Sequence, residues 1–280
     1  MEVETPLSGQ NMQPFLKVEK LVKGYERKNV AGSREKLFAL DGVSFAVAQG
    51  TTLAVVGESG SGKTTLGFCI SCLEIASSGS IWFEGRDIVA LAEAERRQVR
   101  PRIQLIFQDP SNSLNPRWRV QEILLEPLTL QGNLEREETK QRAAALMAQV
   151  GLSSDIFQRL PAQLSGGQRQ RLAIARALAL EPKLLILDEV LSALDCSVQA
   201  QIANLLMELQ RTLGMTYLFI THDLAMAAHL ADEMVVMNRG RVVEQGPAQK
   251  VLRHPTEEIT KQLLAAMPSL DSAALPPLES

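Results

Sequence analysis

The sequence has 280 residues and is poor in aromatics, at 4%, and in cysteine, with only Cys69, Cys72 and Cys196. Three cysteines cannot all pair, so this is no disulfide-built scaffold. The opening MEVETPLSGQNMQPF has neither a basic start nor an apolar stretch, and the expected compartment is reducing cytosol. A basic excess is also lacking: 29 Lys+Arg stand against 32 Asp+Glu, a net charge of -3. That balance argues against a domain that grips nucleic acid mainly through phosphate charge, so no nucleic-acid partner is expected. No apolar run reaches the roughly 18 residues that a bilayer span needs. The best stretches, around Leu213–Ile220 and Leu224–Ala231, are short and are broken by Thr221, His222 and Asp223. What is present, 45% hydrophobic and 22% charged residues, is globular composition. The length suits one large or two modest domains of roughly 100–200 residues each.

Residues 1–14 are polar, contain two prolines and read as a loose lead-in, with order expected from Phe15. FLKVEKLVKGY and ALDGVSFAVAQGTTLAVVG cluster β-branched and apolar residues between glycine turns and predict strands. After Gly62 a helix is expected over Thr64–Leu73, with Leu66, Ile70 and Leu73 on one face. GSIWFEG predicts another strand, followed by the charged AEAERRQVRPR and the apolar IQLIF. Residues 119–160 change character: VQEILLEPL and TKQRAAALMAQVGL carry helical spacing and read as an inserted helical region. A helix at about 168–180, the buried-type strand KLLILDE, a helix from Ser197 to Leu213, the strand TYLFITHD, a helix at 224–231 and the hairpin MVVMNRGRVVEQG complete the pattern. Such alternation predicts an α/β fold with a mainly parallel sheet covered by helices on both faces.

Gly57-Glu58-Ser59-Gly60-Ser61-Gly62-Lys63-Thr64 fits G-x-x-x-x-G-K-[ST] directly after the strand TLAVV and before a helix, with Thr65 next. Glycines let the backbone wrap closely enough for successive N–H groups to meet phosphate oxygens. The helix N-terminus adds its dipole and Lys63 a mobile positive charge. Thr64 can place a hydroxyl on Mg²⁺. Nucleoside triphosphate binding follows, but hydrolysis is not distinguished from kinase-type transfer. The later strand Leu184-Leu185-Ile186-Leu187 ends in Asp188-Glu189. Two carboxylates at the carboxyl end of a strand suit Mg²⁺ for Asp188 and activation of an attacking water for Glu189.

Between these elements stands Leu164-Ser165-Gly166-Gly167-Gln168, followed by the helical RQRLAIARAL. Here the chain resembles the ATP-binding cassette family over nearly its whole length from about residue 15. The resemblance implies a P-loop cassette with a RecA-like, mainly parallel sheet, an antiparallel β subdomain and an inserted α-helical subdomain. It also implies that Ser165, Gly166, Gly167 and Gln168 close the γ-phosphate site of a second cassette in a head-to-tail dimer. By the same likeness Tyr25 stacks on adenine, and Gln108 reaches Mg²⁺ and the attacking water. Ser192-Ala193-Leu194-Asp195 resembles the loop through which two cassettes of that family sense each other. His222, at the end of TYLFI, resembles the histidine that contacts the γ-phosphate in that family. Val190 stands where many cassettes have proline, and it replaces no chemical group.

The stretch Phe107–Arg117, the run SALDCSVQAQI and His254-Pro255 ahead of EEITKQLLAAMP resemble the importer subfamily for dipeptides, oligopeptides and nickel chelates. Thr256 departs from the aromatic that commonly follows His-Pro there. No cysteine follows Cys196, so the iron–sulfur centre of some members is lacking. The likeness implies an ATPase using ATP and Mg²⁺, peripheral on the cytoplasmic face of the inner membrane. Its partners would be a second cassette, two transmembrane permease subunits and an extracytoplasmic solute-binding protein. The expected division is a nucleotide-binding domain over 15–250, its helical subdomain at about 109–170, and a tail over 251–280. A nickel-chelate importer remains the alternative, and less favoured are an exporter cassette, a DNA-repair ATPase and a translation factor. The stretch between Lys63 and Ser165 is too short for the coiled coil of the DNA-repair class, and the chain carries one of each motif where the translation class carries two. The spacing Cys69-x-x-Cys72 lacks a second ligand pair and reads as buried structure. The basic cluster Arg96, Arg97, Arg100 and Arg102 reads as a solvated face with partner contact left open.

Overall fold

TLAVV, a run of β-branched and apolar residues with no alternation, can only be a strand if both faces are covered, and Thr52–Val56 (β3) is buried at every position. A computed structural model describes residues 14–28, 34–110, 113–130 and 135–266. The predicted lead-in, apart from Pro14, lies outside the described residues, as do Ser111, Asn112 and the tail beyond residue 266.

Two antiparallel strands open the chain, Leu16–Lys28 (β1) and Arg34–Val47 (β2). With Ser78–Phe83 (β4) and Arg86–Asp87 (β5) they form a four-stranded sheet in the order β2-β1-β4-β5. The second sheet takes β3, Ile103–Ile106 (β6), Leu184–Asp188 (β7), Thr216–Thr221 (β8), Glu233–Asn238 (β9) and Arg241–Pro247 (β10), in the order β10-β9-β3-β8-β7-β6. Every pairing in it is parallel except the β9–β10 hairpin. The expected mixture of a mainly parallel and an antiparallel sheet is what the chain builds.

The helices are Lys63–Ile70 (α1), Glu93–Val99 (α2), Val120–Leu130 (α3), Arg136–Gln149 (α4), Gly166–Leu178 (α5), Cys196–Leu213 (α6), Leu224–Leu230 (α7), Ala248–Arg253 (α8) and Glu258–Ala265 (α9). Helix α1 corrects the predicted Thr64–Leu73: it stops at Ile70, Cys72 takes a left-handed φ of 58°, and Leu73 is 58% exposed. Cys69 and Cys72 are buried with the β1–β2 core, and burial pushes the Cys69 thiol up to about 12. They are core side chains, as the spacing predicted. Helices α3, α4 and α5 share one apolar cluster with Leu185 and Leu187 of β7 and Leu206 and Leu209 of α6. At the far end, Leu263 and Leu264 of α9 pack beside Val251 of α8 and Val56 of β3. Glu244 on β10 starts α9 by accepting from the Thr256 N–H at 2.8 Å, the Thr256 hydroxyl at 2.9 Å and the Glu257 N–H at 3.2 Å.

The basic cluster is partly compensated within its own neighbourhood, with two carboxylates against four guanidiniums. Arg96, Arg97 and Arg100 converge on Glu93, and Arg102 pairs with Glu84. Surface pairs of this kind contribute about 0–1 kcal/mol each, so burial of Val99 with Phe15, Ile81 and Phe83, not the charges, anchors α2.

Candidate functional site

Parallel pairing puts the carboxyl ends of the strands at one edge. Val56 pairs with Thr221, Ile220 with Asp188, and Leu187 with Ile106. The next residues along the chain are therefore brought together there: the 57–64 loop after β3, Gln108 after β6, Glu189 after β7 and His222 after β8. Open α/β sheets hold ligands at this edge.

The loop sits directly against neighbouring backbone. A Cβ on Gly62, at φ 105°, would lie 2.3 Å from the Ala39 carbonyl oxygen, and one on Gly57 would lie 2.2 Å from that of Met237. Ala39 is where β2 carries an extra residue: Lys23 pairs with Leu40, and Gly24 with Phe38. This bulge brings the antiparallel sheet onto the loop. The β9–β10 turn closes the other side, Gly240 N–H donating to Ser61 O at 2.9 Å and Asp41 N–H to Gly240 O at 2.8 Å.

Lys63 is buried, and its ammonium donates to the carbonyls of Gly57 at 2.7 Å and Glu58 at 2.9 Å. Burial lowers its pKa, with Glu189 and Asp188 pulling the other way. Thr64 Oγ1 donates to Asp188 Oδ1 at 3.3 Å. Glu189 Oε1 lies 3.3 Å from His222 Nδ1. Gln108 Nε2 donates to Ser192 Oγ at 3.2 Å, and that hydroxyl donates to the Glu189 carbonyl at 2.9 Å. Ser192 thus ties Gln108 to the backbone of Glu189, a link that residue types alone did not reveal. A buried ammonium inside a glycine loop suits an anion. The oxygens of Thr64, Asp188 and Gln108 suit a hard divalent cation such as Mg²⁺.

Burial, the largest influence, raises the Asp188 pKa. The Thr64 hydroxyl and Lys63 oppose the rise, and Glu189 adds to it. A folded value above the unfolded one means that the native state binds the proton more tightly, so stability falls as pH rises through that window. At neutral pH the ionised carboxylate therefore costs stability. Asp188→Asn in chelator at neutral pH is expected to melt above the unsubstituted chain. The gap should narrow as pH falls toward the ordinary aspartate range. Thermal melts across pH check this, and a lower melting point would contradict it.

Ser165–Gln168 lies away from this strand edge in sequence and starts α5. Ser165 Oγ accepts from Gln168 N–H at 3.2 Å and Gln168 Oε1 accepts from Ser165 N–H at 3.0 Å, a capping box. Gly166 and Gly167, the first two helical residues, have no intrahelical acceptor for their N–H groups. A Cβ on Gly167 would meet Val198 Cγ1 of α6 at 2.8 Å, and Asp195 Oδ1 caps α6 by accepting from Val198 N–H at 2.9 Å. The structure thus sets Leu194 and Val198, on either side of Asp195, against the two glycines that follow Ser165. Tyr25 stands on β1, 38% exposed.

The comparisons fit this geometry. Residues 40–192 match the ABC transporter family. The dipeptide transport ATP-binding protein DppF of Escherichia coli is 45% identical over 92% of this chain and 78% of its own length. The oligopeptide transport ATP-binding protein OppD of Mycobacterium tuberculosis is 47% identical over 92% of this chain but only 42% of its own length. Among solved structures, a dimeric ATP-binding cassette in a post-hydrolysis state with ADP and Pi superposes with a TM-score of 0.74 at 29% identity, covering 83% of this chain and 98% of that one. A Clostridium perfringens cassette, CbiO1, part of the complex CbiONQ, gives 0.74 at 30% identity, over 92% and 97% of the two chains. Sheet order, strand-edge loop and sequence relatives agree, and the chain belongs to the ABC transporter family as one of its ATP-binding proteins.

Proposed function

We propose that this chain hydrolyses ATP to drive a membrane importer of dipeptides or oligopeptides. The observation that carries the ATPase reading is the convergence of Lys63, Thr64, Asp188, Glu189, His222 and Gln108 at one strand edge, with Thr64 and Asp188 in contact. The peptide reading rests on relatives named for dipeptide and oligopeptide transport.

In this reading the 57–65 segment and Lys63 hold the β- and γ-phosphates, and Tyr25 stacks on the adenine. Mg²⁺ held by Thr64, Asp188 and Gln108 supplies positive charge against the phosphate oxygens. Glu189 takes a proton from water as its oxygen bonds to the γ-phosphorus and the bond to the β-phosphate oxygen breaks, leaving ADP and phosphate. His222, beside Glu189 Oε1, holds the γ-phosphate and orients that carboxylate. Ser165, Gly166, Gly167 and Gln168 close the site of a second cassette, and Asp195 links the two. The division assigned is a nucleotide-binding domain over 15–250 with a helical subdomain at about 109–170, and a tail over 251–280. Its partners are two permease subunits and an extracytoplasmic binding protein. Among the described residues no helix is long and apolar enough to cross a membrane, and the assigned place is peripheral, at the cytoplasmic face. Labelled-dipeptide uptake by cells lacking this chain, and by the same cells with it restored, tests the peptide assignment. Uptake should return with the chain; dipeptide uptake indifferent to it, alongside nickel uptake that requires it, would overturn the assignment.

A further inference from the structure

Lys23 is held in place more firmly than most lysines. Its side chain is only 12% exposed, its ammonium pairs with Glu74 at 2.6 Å, and it donates to the Ile75 carbonyl at 2.8 Å. The same nitrogen lies over the Tyr25 ring, 5.0 Å from its centroid, within the roughly 6 Å range of a cation–π contact. Partial burial opposes the charge, but the Glu74 carboxylate outweighs it and leaves the pKa above the usual lysine value.

The 74–77 segment holds this part of β1 in two further places. Ser77 N–H donates to Val22 O at 2.7 Å, and Gly24 N–H donates to Ser77 Oγ at 3.1 Å. This turn follows α1, whose first residues are Lys63 and Thr64. One short connection therefore runs from the phosphate loop through α1 and the 74–77 turn to the ring of Tyr25.

We propose that Lys23, fixed by Glu74, is a positioning residue for ATP. It covers part of the Tyr25 ring and sets its orientation, so that a purine base stacks on the ring surface left open, at a fixed distance from the phosphate loop. The inference rests on the reading of Tyr25 as the adenine platform. The ion pair restricts Lys23 before any nucleotide arrives, so binding incurs little further ordering of this side chain.

Calorimetry on the 280-residue chain with two probes, Mg-ATP and Mg-bound inorganic triphosphate, separates base from phosphate recognition. Lys23→Met is expected to weaken ATP roughly three- to tenfold and to leave triphosphate unchanged. Glu74→Gln, a milder surface change, should weaken ATP less and in the same direction. In a Tyr25→Ala background, Lys23→Met should add nothing. Equal weakening of both probes would overturn the proposal, as would an additive loss in that background. Unchanged ATP affinity in Lys23→Met, alongside weakened ATP in Tyr25→Ala, would overturn it while sparing the adenine reading. Full ATP affinity in Tyr25→Ala would remove both.

Discussion

Glu189→Gln is expected to bind ATP normally and to hydrolyse it about 10²–10⁴-fold more slowly, the range for losing a general base. The substitution keeps shape and removes only the ability to take a proton. Glu189 N–H donates to Ile220 O at 2.9 Å, and the Glu189 carbonyl accepts from Ser192 Oγ at 2.9 Å. Both are backbone contacts that glutamine retains, as is the left-handed φ of 50°. The glutamine carbonyl can still face His222 Nδ1, which lies 3.3 Å from Glu189 Oε1. Binding and chemistry should therefore separate cleanly. Equilibrium ATP binding and single-turnover phosphate release on the same preparation check this, and near-normal release would remove Glu189 from the role.

Gly62→Ala should be among the most damaging changes in the phosphate loop. At φ 105° an L side chain is strained, and the new Cβ would lie 2.3 Å from the Ala39 carbonyl oxygen. Neither side can yield easily. Asp41, two residues on from Ala39, is bonded to Gly240, which is bonded to Ser61, and Arg241 holds the Asp41 carboxylate through two nitrogens at 2.8 and 2.6 Å. Strain and clash together should cost about 3–5 kcal/mol, a large share of a typical stability of about 5–15 kcal/mol. At a few degrees per kcal/mol, the melting point should drop by roughly 6–20 °C, with nucleotide binding lost. Gly60→Ala isolates the clash: Gly60 also has a positive φ, of 79°, but nothing lies within 4 Å of its added Cβ. It should cost only about 1 kcal/mol. If Gly62→Ala melts no lower than Gly60→Ala, the contact with Ala39 does not matter.

Sequence patterns carried the phosphate loop, the strand ending in Asp188 and the turn at Ser165, because each couples a run of fixed residue types to one local backbone shape. The parallel sheet was legible for a similar reason: β3, β7 and β8 are continuous apolar runs that only two-sided burial explains. The end of α1 was not legible. No glycine or proline marks it, and Cys72 takes the left-handed conformation where glycine is the usual signal. The Ala39 bulge was equally hidden, since an extra residue in one strand shows only against the register of its partner. The basic cluster was half legible: its charges are visible in the chain, but the convergence of three arginines on Glu93 and the pairing of Arg102 with Glu84 exist only as folded contacts. Ser192 belongs with these, a loop hydroxyl whose bonds to Gln108 and the Glu189 carbonyl depend on β6 and β7 lying side by side.

The central claim is that ATP hydrolysis by this chain drives peptide import. Phosphate release by the assembled transporter in lipid vesicles, with and without dipeptide and binding protein, tests it most directly when complexes carrying the unsubstituted chain are set beside complexes carrying Glu189→Gln. Release should rise with peptide when Glu189 is present and fall toward background, with or without peptide, in the Glu189→Gln complex. Peptide-stimulated release at the unsubstituted rate from the Glu189→Gln complex would contradict the claim.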